Sequence, residues 1–131
     1  MAKHVFLSFV EEDLELVRLF RGQAQNENSD LSFADYSVKV PFDSTDADYI
    51  RGKIKELINR SSILLCLIGT GTAKSSWVAW EIKTAAELSK RIGGVRLHSD
   101  ASKDITPKAL IDAGGTVMNW DVSKIVEWIG K

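Results

Sequence analysis

ILLCLIGTGTAKSSWVAWEIKTAAEL, residues 63–88, sets an apolar run, a glycine-bearing loop and a helical pattern in direct succession. The run Ile63–Ile68 has the length and continuity of a strand covered on both faces. Ser75 or Ser76 is a natural N-cap, because a hydroxyl can accept from an orphan amide of the first helical turn. On a wheel at ~100° per residue, Trp77, Val78, Ile82, Ala85, Ala86 and Leu88 form one apolar arc. Lys83, Glu87 and Lys90 take the opposite side. Glu81 falls inside the apolar arc, between Leu88 and Ala85 and one turn after Trp77. A carboxylate there must meet the protein body or a cleft, and burying it uncompensated is costly. Two readings stand: an acid at the rim of a pocket, or a glutamate at the end of the packed face that reaches water or a neighbouring arginine.

On either side of this stretch the chain alternates strands and helices. Residues 5–9 (VFLSF) read as a buried strand. Glu11, Glu12 and Asp13 open a helix carrying Leu14, Val17, Leu19 and Phe20, with acids where the helix dipole favours them. Residues 31–36 form a second, shorter strand. Residues 37–46, with Pro41 and several polar turn formers, form a loop that is long for this class of domain. Asp46 or Asp48 begins a helix with Ile50, Ile54, Leu57 and Ile58 on one face. Residues 93–98 read as a fourth strand and 99–104 as a polar loop. Thr106 and Pro107 start a short helical piece, 116–120 a fifth strand, and Asp121 caps the last helix. Strands alternating with helices predict a parallel sheet covered on both faces with right-handed crossovers. At this length a flavodoxin-like order 2-1-3-4-5 is expected, with the ligand cleft beyond the carboxyl ends of the strands. Those ends carry Ser8 and Phe9, Asp35 and Tyr36, the 69–74 loop, His98, and Asn119 with Trp120.

The whole chain, residues 1–131, suits one domain with one core. Its 17 basic and 18 acidic residues leave a net charge of −1, so the balance points to neither a general nucleic-acid binder nor a membrane-surface protein. The longest apolar run is too short for a bilayer, and the N-terminus runs straight into a strand with no signal-peptide pattern. The single cysteine, Cys66, excludes an internal disulfide and reads as a small core residue, with catalysis the remoter alternative. A cytoplasmic, reducing location is the simplest inference.

Several chemistries common on such folds fail on the residues. The third strand ends without the aspartate that a phosphate-accepting receiver needs, although Glu11, Glu12 and Asp13 imitate a receiver's acidic cluster. The 69–74 loop is only part of a Walker A pattern and has no third glycine of a dinucleotide fingerprint. It is either an amide cradle for phosphate or a flexible strand-to-helix turn. The acidic 11–13 segment would repel phosphate after the first strand. Two histidines, His4 and His98, and one cysteine show no metal-ligand spacing. His98 either lines the cleft or sits on a solvated loop shoulder. No nucleophile elbow is present.

Together these residues resemble a TIR domain, and more narrowly the TIR-like subunit of bacterial Thoeris anti-phage systems. Residues 1–9 look like that family's opening strand. Residues 68–72 leading into Trp77-Val78-Ala79-Trp80-Glu81-Ile82 are similar to its W-V-x-x-E-I helix start, and 37–46 sits where TIR domains carry the BB loop. The resemblance covers roughly residues 3–98. It implies cleavage of the nicotinamide–ribose bond of NAD+, taken as substrate with no cofactor, to give a cyclic or modified ADP-ribose signal that activates an effector protein. Under it Glu81 is the catalytic residue. Phe6, Ser8, Phe9, Asp43 and Trp77 are substrate-binding, with Ser8 and Phe9 on the nicotinamide side and Asp43 closing from the BB loop. Trp77 serves as an aromatic wall or as a core residue. The alternative is a non-catalytic module acting by self-association. Many TIR domains carry a base just after the first strand, where this chain has Val10, Glu11 and Glu12, so a second subunit is expected to supply phosphate recognition.

Overall fold

The apolar run Ile63–Ile68 is the central strand of a five-stranded parallel sheet in this computed structural model, which describes residues 3–36, 40–100 and 102–131. The strands are β1 (Lys3–Ser8), β2 (Leu31–Ala34), β3 (Ile63–Ile68), β4 (Arg91–Arg96) and β5 (Thr116–Asn119), in the order β2-β1-β3-β4-β5. The helices are α1 (Leu14–Glu27), α2 (Ala47–Arg60), α3 (Ser76–Glu87), α4 (Lys108–Asp112) and α5 (Val122–Gly130), with single 3-10 turns at Glu11–Asp13 and Thr72–Lys74. This is the flavodoxin-like topology expected from the alternation.

Alternation along each strand sorts the core into two layers. Ile63, Leu65 and Leu67 join Val5, Leu7, Phe33 and Val95 beneath α1 and α5, which contribute Val17, Phe20, Ala24, Ile125 and Ile129. Leu64, Cys66 and Ile68 join Phe6 and Ile92 beneath α2, α3 and α4, which contribute Ala47, Ile54, Ile58, Val78, Ile82 and Leu110. β3 is fully buried along its length. Each such side chain taken out of water stabilises the fold by about 1.5–3 kcal/mol before the entropy of ordering is set against it.

The departures from the sequence reading have local causes. β4 starts two residues earlier than its glycines suggest, because its register runs from Ile63 opposite Arg91 to Ile68 opposite Arg96. A charged strand start is tolerated there since the Arg91 guanidinium donates to the carbonyls of Trp128 (2.7 Å) and Ile129 (3.3 Å) at the end of α5. Gly93 leaves room for the Trp128 ring, which would lie 2.6 Å from a Cβ at that position. β1 and β2 stop before Phe9 and Asp35, and β5 stops before Trp120. Leu19 points to solvent, off the stripe of Val17, Phe20 and Ala24. Ala86 is exposed, so the packed arc of α3 is narrower than the wheel implied. Of the 37–46 loop, residues 37–39 lie outside the described residues.

Cys66 has no exposed surface, and burial first, then the nearby Glu81 charge, pushes its thiol well above the ordinary range. A thiol held protonated is a poor nucleophile. Iodoacetamide at pH 8 should therefore leave the native chain unmodified and label one site per chain in urea, as read by mass. Labelling of native protein at the rate of a free thiol would contradict the packing of β3.

Candidate functional site

Ser8 is the last residue of β1 and shares the α2–α3 face with Phe6. Where the period of two calls for another apolar side chain, the sequence supplies a hydroxyl. Facing it is Glu81, whose place on α3 is set by the helix start. Ser75 Oγ accepts from the Val78 amide at 3.1 Å and fixes the first turn. The result is a short hydrogen bond from Ser8 Oγ to Glu81 Oε1, 2.6 Å long, between two residues that are both 0% exposed. Hydroxyl-to-carboxylate bonds of this length belong to the charge-assisted class. Ser8 also lies opposite Cys66 in the β1–β3 register, so the pair is embedded between strand and helix.

Beside this pair is a cleft of about 330 Å³ lined by Phe9, Val10, Glu11, Val40, Pro41, Ser75 and Trp77. It lies at the carboxyl end of β1, where the strand order reverses, as expected for such sheets. Phe9 follows Ser8 in the chain, and Trp77 stands one helical turn before Glu81, so each member of the buried pair has a near chain neighbour in the lining. Trp77 is held as a wall. Its Nε1 donates to the Val40 carbonyl at 2.7 Å, Phe42 packs edge-on at 5.0 Å between centroids, and Trp80 does so at 6.1 Å. Arg51 braces the same wall from α2, its guanidinium over the rings of Phe42 (4.3 Å) and Trp77 (5.5 Å).

The acidic turn after β1 leans on the glycine loop after β3. A Cβ at Gly69 would meet Asp13 Oδ2 at 2.1 Å, and one at Gly71 would meet Glu12 Oε1 at 3.1 Å. The loop itself is closed by Thr72, which accepts from the Gly69 amide at 2.8 Å. Carboxylates therefore occupy the approach to this loop, and the amide cradle for phosphate is not formed. Farther along the same edge, buried Asp104 accepts from the His98 backbone amide and meets His98 Nδ1, both at 2.6 Å. Among the described residues no group of three or more His, Cys, Asp or Glu is arranged to hold a metal ion.

The residues singled out in the sequence are thus distributed unevenly. Ser8 and Glu81 are bonded to each other, while Phe9 and Trp77 line the cleft. Phe6 is fully buried among Ile54, Leu64 and Ile82 in the core layer under α2 and α3. Asp43 is exposed and is not among the lining residues. Sequence reasoning missed Arg51, whose alternation with apolar residues on α2 reads as an ordinary solvated face. It also missed Asp104, which resembles its polar loop neighbours and has no local signal of burial.

This architecture, an acid on the helix after the third strand beside an aromatic cleft at the sheet's switch point, places the chain among TIR-like α/β domains. Residues 6–102 match the family described as Thoeris protein ThsB, TIR-like domain, and the chain belongs to that family. Among solved structures it is similar to the TIR domains of the activated Roq1 resistosome that recognises the pathogen effector XopQ. That match has TM-score 0.60 and 16% identity, covering 98% of this chain and 97% of that one. It is also similar to a flavodoxin-like domain from Synechococcus sp., with TM-score 0.56, 11% identity and coverage of 96% and 92%. A third is the CMP N-glycosidase BcmB of Clostridium botulinum, with TM-score 0.55, 14% identity and 98% of both chains covered. At these identities the likeness is one of fold. No curated protein sequence gives a significant match. Among the described residues no helix is long and apolar enough to cross a membrane.

Asp13 yields a prediction with a definite sign. Burial, then the Glu12 charge, raises its carboxyl above the ordinary value of 3.8; His98 opposes the shift and Asp104 adds to it. The folded state then holds this proton more tightly than the unfolded chain, so stability falls as pH rises from that ordinary value through the raised one. Asp13→Asn should therefore be the more stable protein at pH 7, with the advantage disappearing near pH 3. Thermal unfolding across that range measures it, and an advantage of equal size at both ends would refute the assignment.

Proposed function

We propose that this chain cleaves the nicotinamide–ribose bond of NAD+ and converts the remainder to a cyclic or otherwise modified ADP-ribose signal in anti-phage defence. The observation that carries the reading is Glu81, a carboxylate on α3 with no exposed surface, bonded to Ser8 at the end of β1, where Phe9 and Trp77 line an aromatic cleft. Membership of the Thoeris TIR-like family supports it. So does the C. botulinum neighbour, a CMP N-glycosidase, which carries a base–sugar cleavage on the same architecture.

Departure of nicotinamide leaves positive charge on the ribose, spread over C1′ and the ring oxygen. A carboxylate held in a site of low polarity stabilises that charge far better than one in water. Glu81 supplies it and also accepts from the ribose hydroxyls, while Ser8 fixes its orientation. Phe9 and Trp77 flank the flat nicotinamide ring, and Glu11 at the same wall favours its cationic form. Water, or another part of the same nucleotide, then attacks the ribose. The product acts on an effector protein.

A second reading, an interaction module without turnover, draws on Leu19, Tyr49, Ile105 and Ile111, large apolar side chains that stand exposed. It treats the Ser8–Glu81 bond as a purely structural tie. Glu81→Gln separates the two. It keeps size and hydrogen-bonding capacity and removes the charge. For the enzyme, NAD+ turnover by concentrated protein should fall by roughly 10²-fold or more, as for loss of other preorganised electrostatic groups, with the unfolding temperature unchanged or raised. A well-folded variant with undiminished turnover would remove Glu81 from the chemistry. Absence of nicotinamide release by the wild-type protein under all assembly conditions would favour the module.

A further inference from the structure

The charge around the cleft is one-sided. Among the described residues its lining holds one charged side chain, Glu11, and Glu12 and Asp13 follow it on the same turn. A pyrophosphate cannot seat against that turn, and the same acids fill the approach to the Gly69–Gly71 loop. A dinucleotide bearing a pyridinium at one end and two phosphates in the middle must therefore point its phosphates away from β1. The rest of the lining includes Val40, Pro41 and Trp77, and Arg51 of α2, itself outside the lining, lies 5.5 Å from the Trp77 ring centroid.

Arg51 differs from the exposed bases of this surface. Its guanidinium lies over Phe42 and within 5.5 Å of the Trp77 ring centroid, and Nη2 donates to the Phe42 carbonyl. These contacts fix the plane of the fork. The remaining edge is weakly used: Nη1 donates to Asp48 Oδ1 at 2.8 Å, but the Asp48 side chain is 94% exposed and only three residues away. Exposed pairs of this kind contribute little. A phosphate oxygen is a stronger, geometrically matched acceptor for an oriented guanidinium. Lys74, the base next to Ser75 in sequence, is exposed and has no comparable stacking.

We propose that Arg51 is the phosphate-recognising residue of this cleft, exchanging Asp48 for the pyrophosphate of an NAD+-type dinucleotide while Phe42 and Trp77 hold its guanidinium in place. The proposal rests on the NAD+ reading above. It assigns the ligand a direction, with phosphates toward α2 and the cationic ring toward Phe9 and Glu11.

The test is binding of ADP-ribose and of nicotinamide riboside, which has no phosphate, to the full chain by calorimetry. Wild type, Arg51→Gln and Arg51→Lys are compared, with near-ultraviolet circular dichroism reporting the tryptophan wall. Loss of a charge-assisted bond to a dianion predicts ADP-ribose affinity lower by roughly tenfold or more in Arg51→Gln. Arg51→Lys should fall between, and affinity for nicotinamide riboside should change less than twofold. Equal weakening of both probes with a changed tryptophan signal would overturn the proposal, since Arg51 would then only brace the wall. Failure of the wild type to bind ADP-ribose, or unchanged ADP-ribose affinity in the variants, would overturn it too. Should Arg51→Gln not fold, Arg51→Lys decides: wild-type affinity for ADP-ribose refutes the role. Release of nicotinamide from NAD+ is followed on the same samples. Arg51-dependent binding without turnover would sink the catalytic reading and leave this one standing.

Discussion

A carboxylate with no exposed surface has to be supplied with its setting by the fold, because the solvent that normally surrounds it is absent. In this chain the setting is the meeting of β1 and α3. Ser8 reaches Glu81 only because strand alternation turns Phe6 and Ser8 to the same side. Glu81 reaches Ser8 only because Ser75 fixes where α3 begins. A slip of one residue in β1 would set Leu7 or Phe9 against the buried carboxylate in place of Ser8. The short β1, the tight turn after it and the glycine loop after β3 all converge on this one junction, and the aromatic cleft is the space left beside it.

Electrostatics then divides the carboxyl edge of the sheet into two regions. The turn from Glu11 to Asp13 is acidic and pressed against glycines that leave it room. The α2 side carries Arg51 stacked on aromatic rings. Between them lies the cleft, whose described lining is mostly apolar. Such a gradient orients a ligand of mixed charge before any hydrogen bond to it has formed.

Much of this was legible in the sequence, and the reasons are specific. Ile63–Ile68 could hardly be anything but a central strand, since six apolar residues in succession leave no solvent face. Glu81 announced its burial by standing among apolar neighbours at helical spacing, and Asp121 its cap, which accepts from the Lys124 amide. What escaped depends on contacts between distant segments. Ser8, which donates to Glu81, lies 73 residues away. Arg51 matters through rings at positions 42 and 77, and no pattern on its own helix marks it. Asp104 is polar in a polar loop, and only its bonds to His98 draw it inside. The start of β4 was misplaced because Arg91 looks like a surface residue until the end of α5 is folded over it.

That last contact has a consequence for modularity. The family likeness ends at residue 102, yet Ile125 and Ile129 of α5 complete the same apolar layer as Val5, Leu65 and Val95. Trp128 fills the hollow above Gly93, and Arg91 gathers the final carbonyls of the helix. The matched portion and the segment after it thus pack into one apolar layer. A chimera that joins residues 6–102 to the closing segment of another such domain would have to reproduce the large-to-small fit at Trp128 and Gly93 as well as the chain path. Recombination between members of this fold is constrained at that seam, far from the cleft where their chemistry would differ.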